Sequence, residues 1–164
     1  MATWRIMTVS DIQGVLRVAG KVHPDLPESD TIFIERVKLF QEGSLVLVEN
    51  DEVCGYVISH PIRNRQPPVL DSLLGEIPLD ADQYYIHDLA ILPEMRGQGL
   101  TVVCMDKILA IGNRYPTACL VSVYGTTAFW RRFGFVAGLV DEAMAGKLRG
   151  YGEDAVYLER QNTS

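Results

Sequence analysis

Thiols are scarce in this chain. Cys54, Cys104 and Cys119 are its only cysteines, each inside an apolar run and none in a Cys-x-x-Cys pair. Isolated thiols in odd number give no disulfide framework and point to a reducing compartment, so a cytoplasmic protein is the expectation. The three histidines, His23, His60 and His87, are scattered without paired-ligand spacing, and no metal is expected. No apolar run approaches the roughly 20 residues that span a bilayer. The opening MATWRIMTVSD has no basic region followed by an apolar stretch. Neither a membrane partner nor a secretory signal is therefore expected. Positive charge is also short: 15 Lys and Arg against 21 Asp and Glu leave a net charge of −6. That balance excludes the broad Lys/Arg footprint of a nonspecific nucleic-acid binder.

What the chain does have is the balance of an ordinary globular protein, 48% hydrophobic and 22% charged over 164 residues. That length suits one domain with a core of its own. Residues 4–7 read as a strand, and Thr8 with Asp11 as a capping box opening a helix through Ile12, Val15, Leu16 and Ala19. Pro24 and Pro27 end it, and a second helix begins near Ser29, with Phe33, Val37 and Phe40 on one face and Gly43 just past its end. Residues 44–49 and 53–60 are β-branched runs split by Asn50-Asp51, a hairpin signal. A connection with four prolines follows (residues 61–82); so long a link in a compact domain is functional or mobile. Residues 84–92 form the next strand, and a helix over 98–113 carries Leu100, Val103, Cys104, Ile108 and Ile111 as one stripe. A strand at 118–123, a short helix at 126–132, and strands at 135–140 and 155–159 separated by a Gly-rich loop complete an α/β sheet protein.

The chemistry lies in Tyr84–Thr101, where a strand runs into a glycine-bearing turn and the turn opens a helix. The first turn of a helix leaves amide N–H groups unpaired, with roughly half a positive charge from the macrodipole. Gly97 and Gly99 lack Cβ atoms, so the backbone can approach a ligand, and Arg96 adds a cation. This is a receptor for phosphate or pyrophosphate. No Gly-x-x-x-x-Gly-Lys run is present, which excludes a P-loop, and Val102 stands where a dinucleotide fingerprint needs its third glycine. On the two glycines alone, a turn that merely caps a helix is the favoured reading.

The run Leu89-Ala90-Ile91-Leu92-Pro93-Glu94-Met95-Arg96-Gly97-Gln98-Gly99-Leu100 closely resembles the coenzyme A segment of the GNAT superfamily of acetyl-CoA-dependent N-acetyltransferases. Ala128–Phe135, an aromatic helix ending in Gly-Phe, resembles that family's second signature, and the order of elements matches over nearly the whole chain. The resemblance implies one acetyltransferase domain over residues 1–164. It implies a mixed α/β (α+β), mostly antiparallel sheet of about seven strands with a splayed parallel pair, flanked by about four helices. It implies acetyl-CoA as cosubstrate. Leu89, Ala90 and Ile91 would offer backbone groups to the pantetheine arm, and Arg96, Gly97, Gln98, Gly99, Leu100 and Thr101 would hold the pyrophosphate. Thr101 departs from the Gly or Ala that the family has there. Family members are often dimers, and no feature commits this chain to a homodimer.

The implied reaction is direct attack of a primary amine, on a small molecule or a peptide, upon the thioester. Such an amine is free base in roughly one molecule in 2,500 at pH 7, a cost of about 4.6 kcal/mol, so a proton acceptor is needed nearby. Asp88 is the candidate base, and a carboxylate that only fixes its strand is the equal alternative. His87 reads as a packed histidine. The resemblance places a tyrosine acid in the helix before Gly-Phe, but Trp130 stands there. Tyr124 is the candidate donor to the leaving thiolate, or else it packs at the strand end. The acceptor pocket would be built by the loop with His23, Asp25, Glu28 and Asp30, the 61–82 connection carrying Arg63 and Arg65, and the loop at 141–153. For the charges in these loops a solvated surface is the commoner explanation. A module that binds coenzyme A without turnover is the other reading.

Overall fold

The computed structural model describes residues 1–162. Seven strands form one sheet in the order β1-β2-β3-β4-β5-β7-β6. They are β1 (Thr3–Ile6), β2 (Ser44–Glu49), β3 (Glu52–Ile62), β4 (Gln83–Ile91), β5 (Thr117–Ser122), β6 (Val136–Ala137) and β7 (Val156–Gln161). Every neighbouring pair is antiparallel except β4 with β5. Five α-helices join them: α1 (Ile12–Val22), α2 (Asp30–Leu39), α3 (Leu100–Gly112), α4 (Thr127–Arg131) and α5 (Glu142–Gly150). No helix of the described residues is long and apolar enough to cross a membrane.

The sheet is buried on both faces. On one, α1 and α2 bring Ile12, Val15, Val18, Phe33 and Val37 against Val46, Tyr56, Ile58 and Ala90. On the other, α3 and α4 lay Cys104, Met105, Ile108 and Trp130 over Val57, Tyr84, Ile86 and Leu120. The capping signal at Thr8 holds, the Asp11 carboxylate accepting from the Thr8 amide at 2.8 Å and from Arg5 through two contacts of 2.8 Å. The Arg5 guanidinium keeps the Asp11 carboxyl below its usual range against the effect of burial. Asn50 and Asp51 both have positive φ, 52° and 63°, the signature of a two-residue hairpin turn whose twist matches the strands.

Three expectations need correction. The Gly-rich loop near the C-terminus contains α5, whose N-cap Asp141 accepts from the Met144 amide at 2.8 Å. Met144 and Leu148, four residues apart, bury its face against Tyr85 and Tyr157. The strand expected over 135–140 shrinks to β6, with Val136, Leu139 and Val140 exposed on the outer edge. Val103 points outward, because α3 buries Cys104, Met105, Ile108 and Gly112.

Gly43 closes the junction between α2 and β2. A methyl there would collide with the Ser59 carbonyl oxygen and lie 2.7 Å from the Tyr84 hydroxyl. That hydroxyl is already 2.6 Å from Ser59 Oγ, and Ser59 Oγ donates to the Gly43 carbonyl at 2.9 Å. Neither strand can give way without breaking the sheet. Gly43→Ala is therefore expected to cost about 3 kcal/mol in a denaturant titration, the upper end of overpacking penalties. An unchanged midpoint would contradict this close approach.

Candidate active site

β4 and β5 run side by side only from Gln83 opposite Thr117 to Ile86 opposite Leu120. Past that point β4 continues along β3, with Asp88 opposite Ile58 and Ile91 opposite Gly55, while β5 turns away. The upper half of β4 is left with one paired edge. A cleft of about 500 Å³ opens between the strands, with Leu89, Ala90 and Ile91 on one wall and Leu120, Val121 and Val123 on the other. Edge N–H and C=O groups there need a partner.

The cleft ends on the glycine turn. Pro93–Met95 make one 3-10 turn anchored by buried Met95, and the Arg96 amide donates to the Pro93 carbonyl at 3.2 Å. Gly97 and Gly99 then take φ of 81° and 73°, a region costly for any residue with a side chain. Among the described residues no protein group accepts from the amides of Gly97, Gln98 or Gly99. A Cβ added at either glycine would meet nothing within 4 Å, so the cradle is open. The Trp4 indole donates to the Leu100 carbonyl at 2.8 Å and ties the first turn of α3 to β1. Arg96 and Arg132 put two cations on the cleft. Of the nine expected cofactor contacts, Gln98 is not in the lining and the other eight are. An elongated ligand with an anionic end fits this shape: a slot with open backbone edges, ending on bare amides at a helix N-terminus.

At the inner end the register of β3 against β4 shifts. Ile58 faces Asp88 and Ser59 faces Ile86, so His87 is an extra residue, a β-bulge. Strand alternation would send His87 and Asp88 to opposite faces; the bulge puts both beside the loop joining α1 and α2. That loop meets them with reciprocal partners. His23 Nε2 lies 2.8 Å from Asp88 Oδ1, and His87 Nε2 lies 2.6 Å from Glu28 Oε1. The Tyr56 hydroxyl donates to Asp88 Oδ2 at 2.5 Å. Burial pushes the Asp88 carboxyl up, but the His23 charge and the hydrogen bonds from His23 and Tyr56 outweigh it and hold the group below its usual range. Burial pushes His23 down, and the Asp88 charge and hydrogen bond with help from Glu28 raise it above its ordinary value. Burial and Asp88 push the Tyr56 phenol well up, so it stays a donor.

His23 and Glu28 are thus not solvated loop charges; Asp25 and Asp30 are exposed. Tyr124 sits in the cleft wall in a left-handed conformation (φ 54°), its ring stacked on His23 at 5.5 Å. Its hydroxyl accepts from the Asp25 amide at 3.1 Å, which leaves its own proton to donate elsewhere. Trp130 is buried against Phe129 and Phe135 and also lines the cleft. Arg63 pairs with Asp80 on the surface, whereas Arg65 binds Glu159 at 2.8 Å and lies over the Tyr157 ring.

A small notch of about 30 Å³ continues the cleft past His23, His87 and Asp88, walled by Leu26, Glu28, Leu70 and Tyr151. Its roof is the connection between β3 and β4. That segment is pinned: the Asp71 amide donates to Glu28 Oε2 at 2.8 Å, the Ser29 amide to Asp71 Oδ1 at 2.9 Å, and Arg36 to the Ser72 carbonyl at 3.0 Å. Sequence reasoning named the loops around the notch and missed the pairings, which join residues 65 and 59 positions apart with no local signal.

The His23–Asp88 pair has a pH signature. A histidine whose pKa is raised on folding stabilises fully below its unfolded value near 6.5 and loses that contribution as pH rises through the folded value. His23→Gln should therefore cost about 1–3 kcal/mol at pH 5.5. The difference from the wild type should shrink by pH 9 in paired denaturant titrations; a pH-independent difference would contradict a charged pair.

The family model described as the acetyltransferase (GNAT) family matches residues 11–135. No curated protein matches the chain by sequence. Among solved structures, the loading GNATL domain of CurA from Lyngbya majuscula is 12% identical, with a TM-score of 0.80 over 98% of each chain. Ard1 from Thermoplasma volcanium is 16% identical, with a TM-score of 0.73 over 99% of each. The ribosomal-protein-S18-alanine N-acetyltransferase from Escherichia coli is 15% identical, with a TM-score of 0.67 over 100% of this chain and 96% of that one. At such identities the likeness is one of fold. The family match, the parted parallel strands and the open glycine turn agree, and this chain belongs to the acetyltransferase (GNAT) family.

Proposed function

We propose that the protein transfers the acetyl group of acetyl-CoA to a primary amine of a small molecule or peptide, by direct attack within a ternary complex. The observation that carries this reading is the continuity of one channel, from bare turn amides through the parted strands to an acid-lined notch. Acetyl-CoA supplies the activated acyl carbon. The amides of Gly97 and Gly99, with Arg96 beside them, receive the diphosphate, and the free edge of Leu89–Ile91 pairs with the pantetheine amides. Thr101 lines the cleft, where its hydroxyl can donate where a smaller residue would not.

At the notch the attacking nitrogen gains positive charge as its bond to carbon forms. Asp88, kept ionised by His23 and Tyr56, opposes that charge at a fixed place. The contacts that hold the carboxyl low also make it a weak base, so its proposed part is electrostatic. Tyr124, with its proton uncommitted, donates to the departing thiolate. A thiol of pKa near 8.5 needs little help to leave, so Trp130 in place of a second tyrosine is no obstacle.

The test is thiol release from acetyl-CoA across polyamines, amino acids, aminoglycosides and peptides, including one with an N-terminal alanine. Release with at least one amine class is expected. Saturable acetyl-CoA binding with no release on any amine would replace transfer by cofactor sensing. Gly99→Glu should weaken acetyl-CoA binding by roughly a hundredfold or more in calorimetry, through lost charge-assisted bonds and repulsion. Its circular dichroism should be unchanged, since open space surrounds that position. Unaltered affinity would remove the diphosphate from this turn.

A further inference from the structure

The Glu28–His87 pair takes no part in the chemistry of Asp88 and Tyr124. It lies where the cleft and the notch meet, His87 lining both. We propose that His87 takes the proton of the attacking amine, with Glu28 as the positioning residue that fixes its tautomer. This inference rests on the acetyl-transfer reading and assigns a second group within it.

The geometry is specific. Glu28 is an acceptor when ionised, so at 2.6 Å it requires the hydrogen on His87 Nε2 and leaves Nδ1 as the ring's acceptor. Among the described residues the hydrogen-bond partner of Nδ1 is the Tyr85 hydroxyl at 3.4 Å, a contact long enough to yield to an amine. The Glu28 side chain is 4% exposed and its second oxygen is held by the Asp71 amide, so it cannot swing away from the imidazole. Asp88, by contrast, already has an oxygen on each of two partners, one of them charged.

The carboxylates beside His87 are Glu28 of the α1–α2 loop and Asp88 of β4. From β3, His60 stands 6.5 Å away between ring centroids, and burial lowers it to about 3, so it adds no competing charge. From β4 and the end of α5, burial raises Tyr85 and Tyr151, which remain neutral. His23 is paired with Asp88, and Arg36 of α2 is bound to Glu35 and to the Ser72 carbonyl.

In the step, the neutral amine nitrogen bonds to the acetyl carbon while the carbonyl π pair moves to oxygen. The N–H proton passes to His87 Nδ1. The oxygen pair then re-forms the carbonyl as the carbon–sulfur bond breaks, its electrons leaving on sulfur. Sulfur is protonated from Tyr124, which is restored by water, and His87 returns its proton to solvent.

The experiment is the pH profile of kcat/KM for the wild type, His87→Gln and Glu28→Gln on one amine that the wild type acetylates, with acetyl-CoA affinity measured on each. His87→Gln should lose roughly a hundredfold or more at neutral pH, keep its acetyl-CoA affinity, and lose the acidic limb of the profile. Glu28→Gln should lose about tenfold or more with that limb displaced. His87→Gln within threefold of the wild type, with the limb intact, would overturn the inference while leaving acetyl transfer standing. A wild type that binds acetyl-CoA and acetylates nothing overturns both. Should the variants not fold, nitrogen NMR of the wild type decides: the Nε2–H tautomer is expected for His87, and a proton on Nδ1 at neutral pH would overturn the assignment.

Discussion

The structure depends on one unfinished ladder. β4 pairs along its length with β3 but with β5 over only four positions, and the separation beyond Ile86 and Leu120 creates the cleft. Unpaired strand edges are costly inside a protein, so a parting of this kind persists only if flanking contacts hold it and something else can fill it. Here Trp4 ties the start of α3 to β1, and Trp130 braces α4 against Phe135. Both hold the walls without closing the gap. The proposed ligand would complete hydrogen bonding that the fold leaves open.

The same strand solves a second problem with one residue. A regular β4 would present either residue 87 or residue 88 to the loop between α1 and α2, never both. The bulge at His87 presents both, and the loop answers with Glu28 and His23. Each pair sets an imidazole against a carboxylate, but in opposite senses, since one carboxylate belongs to the strand and the other to the loop. Geometry separates their proposed duties. Asp88 has both oxygens engaged and is held low, whereas the His87 acceptor nitrogen has only a long contact to the Tyr85 hydroxyl. The roof segment is part of the arrangement, because the Asp71 amide holds the oxygen of Glu28 that His87 does not use.

Much of this was legible from the sequence because the informative signals are local. The Asn50-Asp51 hairpin, the prolines after α1, and the Arg96–Gly99 turn before an apolar helix each act within a few residues. What stayed hidden depends on partners far away. His23 and Glu28 look like solvated loop charges until β4, about 60 residues on, is folded against them. The bulge has no composition signal, since His87 between Ile86 and Asp88 fits a regular strand equally well. α5 was obscured by Gly146 and Gly150, which lower helix propensity; tertiary burial of Met144 and Leu148 overrides them. β6 is shorter than its sequence suggests because Val136, Leu139 and Val140 look like core residues and instead lie exposed at the sheet edge.

The central claim is that a diphosphate is held by main-chain N–H groups just beyond β4. Amide NMR during titration with coenzyme A addresses it residue by residue. Saturable shifts and slowed exchange are expected at Gly97, Gly99 and Thr101 at the anionic end and at Leu89, Ala90 and Ile91 along the arm, in one binding event. Saturable binding that leaves those amides unmoved, with the changes gathered on another face of the molecule, would contradict the account.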